Sequence, residues 1–182
     1  MATLISGSTG VNKITDGTIA VADFASGARG GTTNISKWYA GNWTASGEVI
    51  PIDGTWTSSL YSGSNMSEVG GVFTFPETGI WEVSATLSFY KADTAALAIE
   101  NVTVGIQVGD SSFDSGENGQ SAFNSPGNDW WRVQVHVTRI IDVTSVSTVK
   151  VRFRSYIYGS TALYQAADLG AGGFLFKRLG DT

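Results

Sequence analysis

The chain has 182 residues, the size of one domain with room for an appendage. It is 42% hydrophobic and 12% aromatic but only 15% charged, and its lack of cysteine excludes disulfides, thiolate metal sites and cysteine nucleophiles. The net charge of −5 argues against a general nucleic-acid binder, and the single histidine, His136, excludes a multi-histidine metal centre.

Residues 1–31 are small, turn-rich and carry one aromatic, Phe24. Ser6–Gly10 and Gly27–Gly31 read as turn or linker segments around two short apolar pieces, Val11–Ile14 and Ile19–Phe24. Roughly thirty such residues bury too little surface to fold alone. They are expected to be an attachment arm ordered by a partner, with Ile14, Ile19, Val21 and Phe24 as its anchors; an unstructured tail is the alternative. The first ten residues do not resemble a secretory signal. No apolar run reaches the ~18–20 residues of a membrane helix, so no membrane insertion is expected.

Residues 32–182 read as a head domain built of strands. Val72–Phe75 is one strand, closed by a turn at Pro76, Thr78 and Gly79. In Ile80–Phe89, Trp81, Val83, Ala85, Leu87 and Phe89 alternate with polar residues and mark a core face. Residues 92–100 suit one or two helical turns or a loop. Val102–Val108 again has period two. Residues 109–129 are rich in turn formers and read as a long loop, open to interruption by a short strand at Phe113 or Phe123. Trp131, Val133, Val135 and Val137 alternate with Arg132, Gln134, His136 and Thr138. Val149, Val151, Phe153 and Ile157 alternate with Lys150, Arg152, Arg154, Tyr156 and Tyr158, and Gly172–Leu179 closes the chain as a strand. Eight or more turn-separated strands without a convincing helix predict an all-β sandwich or jelly roll.

Charge is uneven along this order. Residues 1–129 hold thirteen acidic and four basic side chains (−9), and residues 130–182 hold three acidic and seven basic (+4). Such a split marks either an interface or unlike charges meeting across neighbouring strands.

The stretch Gly71–Ala85 (GVFTFPETGIWEVSA) resembles the signature of the globular head of complement component one, q subcomponent, with Phe73, Gly79 and Trp81 in its strand-aromatic, turn-glycine and following-aromatic places. Gly172-Gly-Phe-Leu-Phe is similar to that family's closing strand, and tumour-necrosis-factor-like folds share these patterns. The resemblance covers roughly 37–180 and implies a jelly roll of about eight to ten antiparallel strands that assembles as a homotrimer. Trp81, Val83 and Ala85 stand where the family has other aromatics, and there is no collagen-like stalk. Ile14-Thr-Asp-Gly-Thr-Ile-Ala-Val-Ala-Asp-Phe-Ala-Ser-Gly27 resembles pieces of tailed-bacteriophage structural proteins, tail fibres above all.

Candidate sites follow. Catalysis is not expected: a histidine relay would have to use His136, in mid-strand, and no G-x-S-x-G elbow raises a serine. Asp110, Asp114 and Glu117, with Asn118, offer hard oxygen ligands to calcium in one loop, a cation that related heads bind. Trp130, with Asp129 and Phe123, is the candidate ligand surface beside the long loop, because exposed aromatics stack on sugars and anchor interfaces. Tyr156, Tyr158, Arg152 and Arg154 share an amphipathic face suited to a trimer interface. Asn34, Asn42, Asn65 and Asn101 begin Asn-x-Ser/Thr triplets, read here as ordinary composition. The leading expectation is a trimeric tail-fibre head in a virion, contacting other virion proteins and a host surface glycan or protein. A capsid decoration protein and a lectin-like carbohydrate-binding module are the alternatives.

Overall fold

The computed structural model describes residues 34–41, 43–45, 47–52, 54–91, 100–123, 131–158, 163–166 and 173–182. The expected arm with Ile14, Ile19, Val21 and Phe24, the helical turn at 92–99, and Asp129 and Trp130 lie outside them.

The described residues form thirteen strands and no helix. In chain order these are β1 (Ile35–Ala40), β2 (Trp43–Ala45), β3 (Gly47–Val49), β4 (Trp56–Ser62), β5 (Ser67–Val69), β6 (Val72–Thr74) and β7 (Gly79–Lys91). There follow β8 (Glu100–Gly109), β9 (Glu117–Phe123), β10 (Trp131–Val143), β11 (Lys150–Tyr158), β12 (Leu163–Ala166) and β13 (Gly173–Gly180). They make two antiparallel sheets, a jelly-roll sandwich. In the first sheet β10 runs along the whole of β7, and β7 continues through β13 and β1 to β4, with β12 and β2 beside its last residues. In the second the order is β5-β6-β11-β8-β9, with β3 also on β11.

The period-two pattern explains which sheet faces meet. On β7, Trp81, Val83, Ala85, Leu87 and Phe89 are all buried, as are Val151, Phe153 and Ile157 on β11. Ser155 completes that inward row and is fully buried although polar. Phe73 of β6 sits where the two sheets press together. Its ring lies 5.3 Å from Trp38 (β1), 4.8 Å from Trp56 (β4), 5.1 Å from Phe176 (β13) and 5.6 Å from Phe153 (β11). The expected core face, turn and closing strand are therefore one aromatic cluster. Gly79 opens β7 at φ 137°, and a Cβ there would lie 2.5 Å from the Gly180 carbonyl oxygen, so only glycine lets the turn and the last strand lie this close.

The expected long loop at 109–129 is interrupted at both places the sequence left open: Gly109 bridges Phe113, and β9, longer than a short strand, pairs along β8 from Glu117↔Ile106 to Glu100↔Phe123. β9 is the edge of its sheet, with one face in water. Its other face meets the backbone of β10, where a Cβ on Gly119 would fall 2.2 Å from the His136 carbonyl oxygen. Neither face calls for alternating apolar residues, so the strand is written in polar and small side chains.

Register gives the sandwich two ends. The chain enters at Asn34, buried, whose carbonyl accepts from Arg178 N at 2.9 Å. Gly79, Gly109, Val143, Lys150 and Gly180 lie at this entry end. Lys91, Glu100, Phe123, Trp131 and Tyr158 lie at the far end.

Candidate functional site

Paired residues of neighbouring strands share a face, so the outer surface of the second sheet can be read in rows across β3, β11, β8 and β9. From the entry end the rows begin with Lys150, Arg152 and Arg154 on β11, and continue with Tyr156 and Tyr158.

The first rows are charged and internally paired. Lys150 Nζ donates to Asp110 Oδ1. Arg152 Nε donates to Gln107 Oε1 at 2.8 Å, and its guanidinium lies 4.1 Å from the centroid of Phe113. Arg154 reaches across β8: Nε and Nη2 donate to Asn118 Oδ1 at 3.2 and 2.8 Å, while Nη1 faces Glu48 Oε1 of β3 at 3.4 Å. Gly105 makes this crossing possible. A Cβ there would lie 2.5 Å from Asn118 Oδ1 and 2.8 Å from Arg154 Nε.

Asp114 is held from a direction the sequence reading missed. Arg139 occupies an inward position of β10, opposite Val83, and forks onto both carboxylate oxygens of Asp114; the same carboxylate accepts from Val108 N at 2.9 Å. The Arg139 hydrogen bond holds the Asp114 carboxyl below its ordinary value. An arginine interrupting the apolar series Val135, Val137, Ile141 was the available signal, since a charge at such a position needs a partner.

These contacts test the calcium expectation. Asp110 and Asp114 each bind a cationic side chain, and Glu117 is exposed on β9. Among the described residues no group of three or more His, Cys, Asp or Glu could hold a metal ion. Two of the three carboxylates expected to meet calcium are thus engaged by cationic side chains of the same chain.

Among the described residues, part of the charge split along the chain is met in the same way. Lys150–Asp110, Arg139–Asp114, Arg154–Glu48 and Arg178–Glu77 each join a cation from residues 130–182 to a carboxylate from residues 1–129.

Beyond Arg154 the surface changes character. Tyr156 and Tyr158 pack against each other with ring centroids 4.1 Å apart and planes tilted at 58°, and Tyr158 is 51% exposed. Tyr156 lies in a row with Glu48, Thr103 and Gln120, and Tyr158 with Asn101 and Ala122. Of the four residues expected at a trimer interface, the two arginines are thus engaged inside the chain and the two tyrosines present a ring pair. Phe123 ends β9 at the same far end, opposite Glu100.

His136 stands on the outer face of β10, exposed, between two hydroxyls: Thr86 Oγ1 at 2.9 Å from Nδ1 and Thr138 Oγ1 at 3.0 Å from Nε2. No carboxylate is among these partners. Asn34 is buried, and Asn65 Nδ2 donates to Ser58 Oγ at 2.8 Å.

No family model matches the sequence, and no curated protein matches it. Solved structures do match the fold. The Eiger TNF of S. frugiperda superposes with a TM-score of 0.60 at 9% identity, over 82% of this chain and 95% of that one. Murine APRIL gives 0.55 at 9% identity, over 80% and 98%. The globular domain of zebrafish complement 1qA protein gives 0.51 at 11% identity, over 84% and 100%. The fold is therefore the tumour-necrosis-factor-like and complement-head jelly roll that the motif around Phe73, Gly79 and Trp81 resembles.

Proposed function

We propose that this protein is a non-enzymatic, homotrimeric recognition head and a structural component of a tailed-bacteriophage virion, a tail-fibre head docked to the particle by residues 1–31. The observation that carries the reading is the polarity of the sandwich. Asn34, just before β1, lies at one end, and the tilted tyrosine pair and the ends of β7, β9 and β11 stand at the other. The phage-like piece Ile14–Gly27 precedes the entry point in sequence. Trimerisation is what the jelly-roll resemblance implies, and Leu60 and Tyr61 on β4, Val69 on β5 and Ile140 on β10, 50%, 64%, 80% and 56% exposed, are apolar groups that a neighbouring copy would cover.

Light scattering on the purified full chain should give a trimer; a monomer would refute the assembly. Excess purified protein should block adsorption of the particle that carries it, and an antibody to the head should decorate the fibre. Unchanged adsorption would refute the recognition role. Label over the capsid shell would move the protein to decoration.

A further inference from the structure

We infer that Tyr156 and Tyr158 form a binding platform for a neutral saccharide. The proposal deepens the recognition-head reading by naming a ligand class, and the binding it describes is measurable whatever particle carries the head.

Four observations converge. The first is the pair itself: two tyrosines packed against each other at a tilt on one strand face, one of them half exposed, give rigid amphipathic area at little entropy cost. The second is what surrounds it. Thr103 and Asn101 lie one strand away on the same face and Gln120 two strands away. These are spacings of about 5 and 10 Å. An apolar ring face beside a short ladder of hydroxyl and amide groups is the complement of a sugar, whose C–H face stacks while its hydroxyls donate and accept around the rim. A span of about 10 Å suits two linked rings.

The third observation concerns charge. Of the described residues, Arg154 is occupied by Asn118 and Glu48, and Arg152 by Gln107 and Phe113. Neither of these guanidinium groups is left for a carboxylate or sulfate, and Glu48 itself lies in the row of Tyr156, which together favour a neutral ligand over an acidic one. The fourth is position: the tyrosines stand toward the far end, away from Asn34, where a docked head would face outward.

The test uses the full chain, with maltotriose, cellotriose and chitotriose as neutral probes and sialyllactose as the acidic one. Binding is read by saturation-transfer NMR and calorimetry. At least one neutral probe should bind. Tyr156→Ala and Tyr158→Ala should each weaken it about tenfold or more, the scale of one lost aromatic contact. Tyr158→Phe keeps the ring and should stay within about threefold, since only one hydrogen bond is at stake. The molecular mass of every variant should equal that of the parent. The proposal is overturned if no neutral probe binds, if only sialyllactose binds, or if the alanine variants bind as the parent does. Alanine variants that dissociate into monomers would also overturn it, because the pair would then be a subunit contact. A parent protein that blocks adsorption yet binds no neutral probe overturns the platform and leaves the recognition head standing.

Discussion

Phe73→Ala is the substitution that most directly tests how the two sheets are joined. Phe73 is fully buried and belongs to the second sheet, yet three of its four ring partners named above, Trp38, Trp56 and Phe176, belong to the first. Truncation removes the transfer energy of the ring and leaves a cavity between rigid neighbours, about 3–5 kcal/mol for a buried phenylalanine. That is a large fraction of the roughly 5–15 kcal/mol that holds a domain folded. With a urea slope of about 2.5 kcal/mol per molar, the midpoint should fall by about 1.5 M. Unfolding should be followed by far-ultraviolet circular dichroism at fixed protein concentration, because self-association makes apparent stability concentration-dependent. Phe73→Leu, which keeps most of the volume, should fall between parent and alanine. Glu117→Ala, at an exposed site on β9, should stay within about 0.5 kcal/mol. A Phe73→Ala midpoint within about 0.4 M of the parent, about 1 kcal/mol, would refute the claim that this ring ties the sheets together.

Other outcomes follow from single contacts. Asp114→Asn should cost up to about 1 kcal/mol at neutral pH, the value of a partly exposed pair with good fork geometry. The Asp114 carboxyl is held below its ordinary value, so the pair's contribution is present above that value and is lost as pH falls through the lowered one. Urea midpoints of parent and variant should therefore converge in acid, and a gap that persists or widens there would refute the assignment. Gly119→Ala should destabilise by about 1–3 kcal/mol because its Cβ would collide with the His136 carbonyl, whereas Gly180→Ala meets nothing within 4 Å and should be near neutral in the same assay. Gly105→Ala should release Arg154 from Asn118, visible as loss of a protected guanidinium Nε–H signal in NMR.

The fold was legible where burial is two-sided and strict. The rows Trp81–Phe89 and Val151–Ile157 face a packed aromatic core, so every second residue is constrained and the alternation shows through. β9 was legible only as an optional short strand at Phe123, because it is an edge strand laid against a neighbour's backbone, where the requirement is small size at Gly119 and not apolarity. Asp110 and Asp114 were visible as an acidic pair, but their partners Lys150 and Arg139 are 40 and 25 residues away in sequence, and no local pattern carries that distance. Tyr156 and Tyr158 were legible as a shared face. That the arginines beside them are already satisfied became visible only through cross-strand register, which brings Asn118 into the row of Arg154 and Glu48 into the next.

The place of the last strand has a consequence for how the molecule is made. β13 is an interior strand, flanked by β7 and β1, and it pairs the thirty-fifth residue with the one hundred and seventy-seventh. β1 and β4 emerge early in synthesis and can pair only with each other, and the first sheet cannot close until the residues of β13 have left the ribosome. Such long-range pairing slows folding and leaves strand edges exposed in the meantime. A chain stopped short of Gly173 would lose the bridge between the two halves of that sheet, so termination before β13 should yield protein that aggregates or is degraded, with no partly useful head.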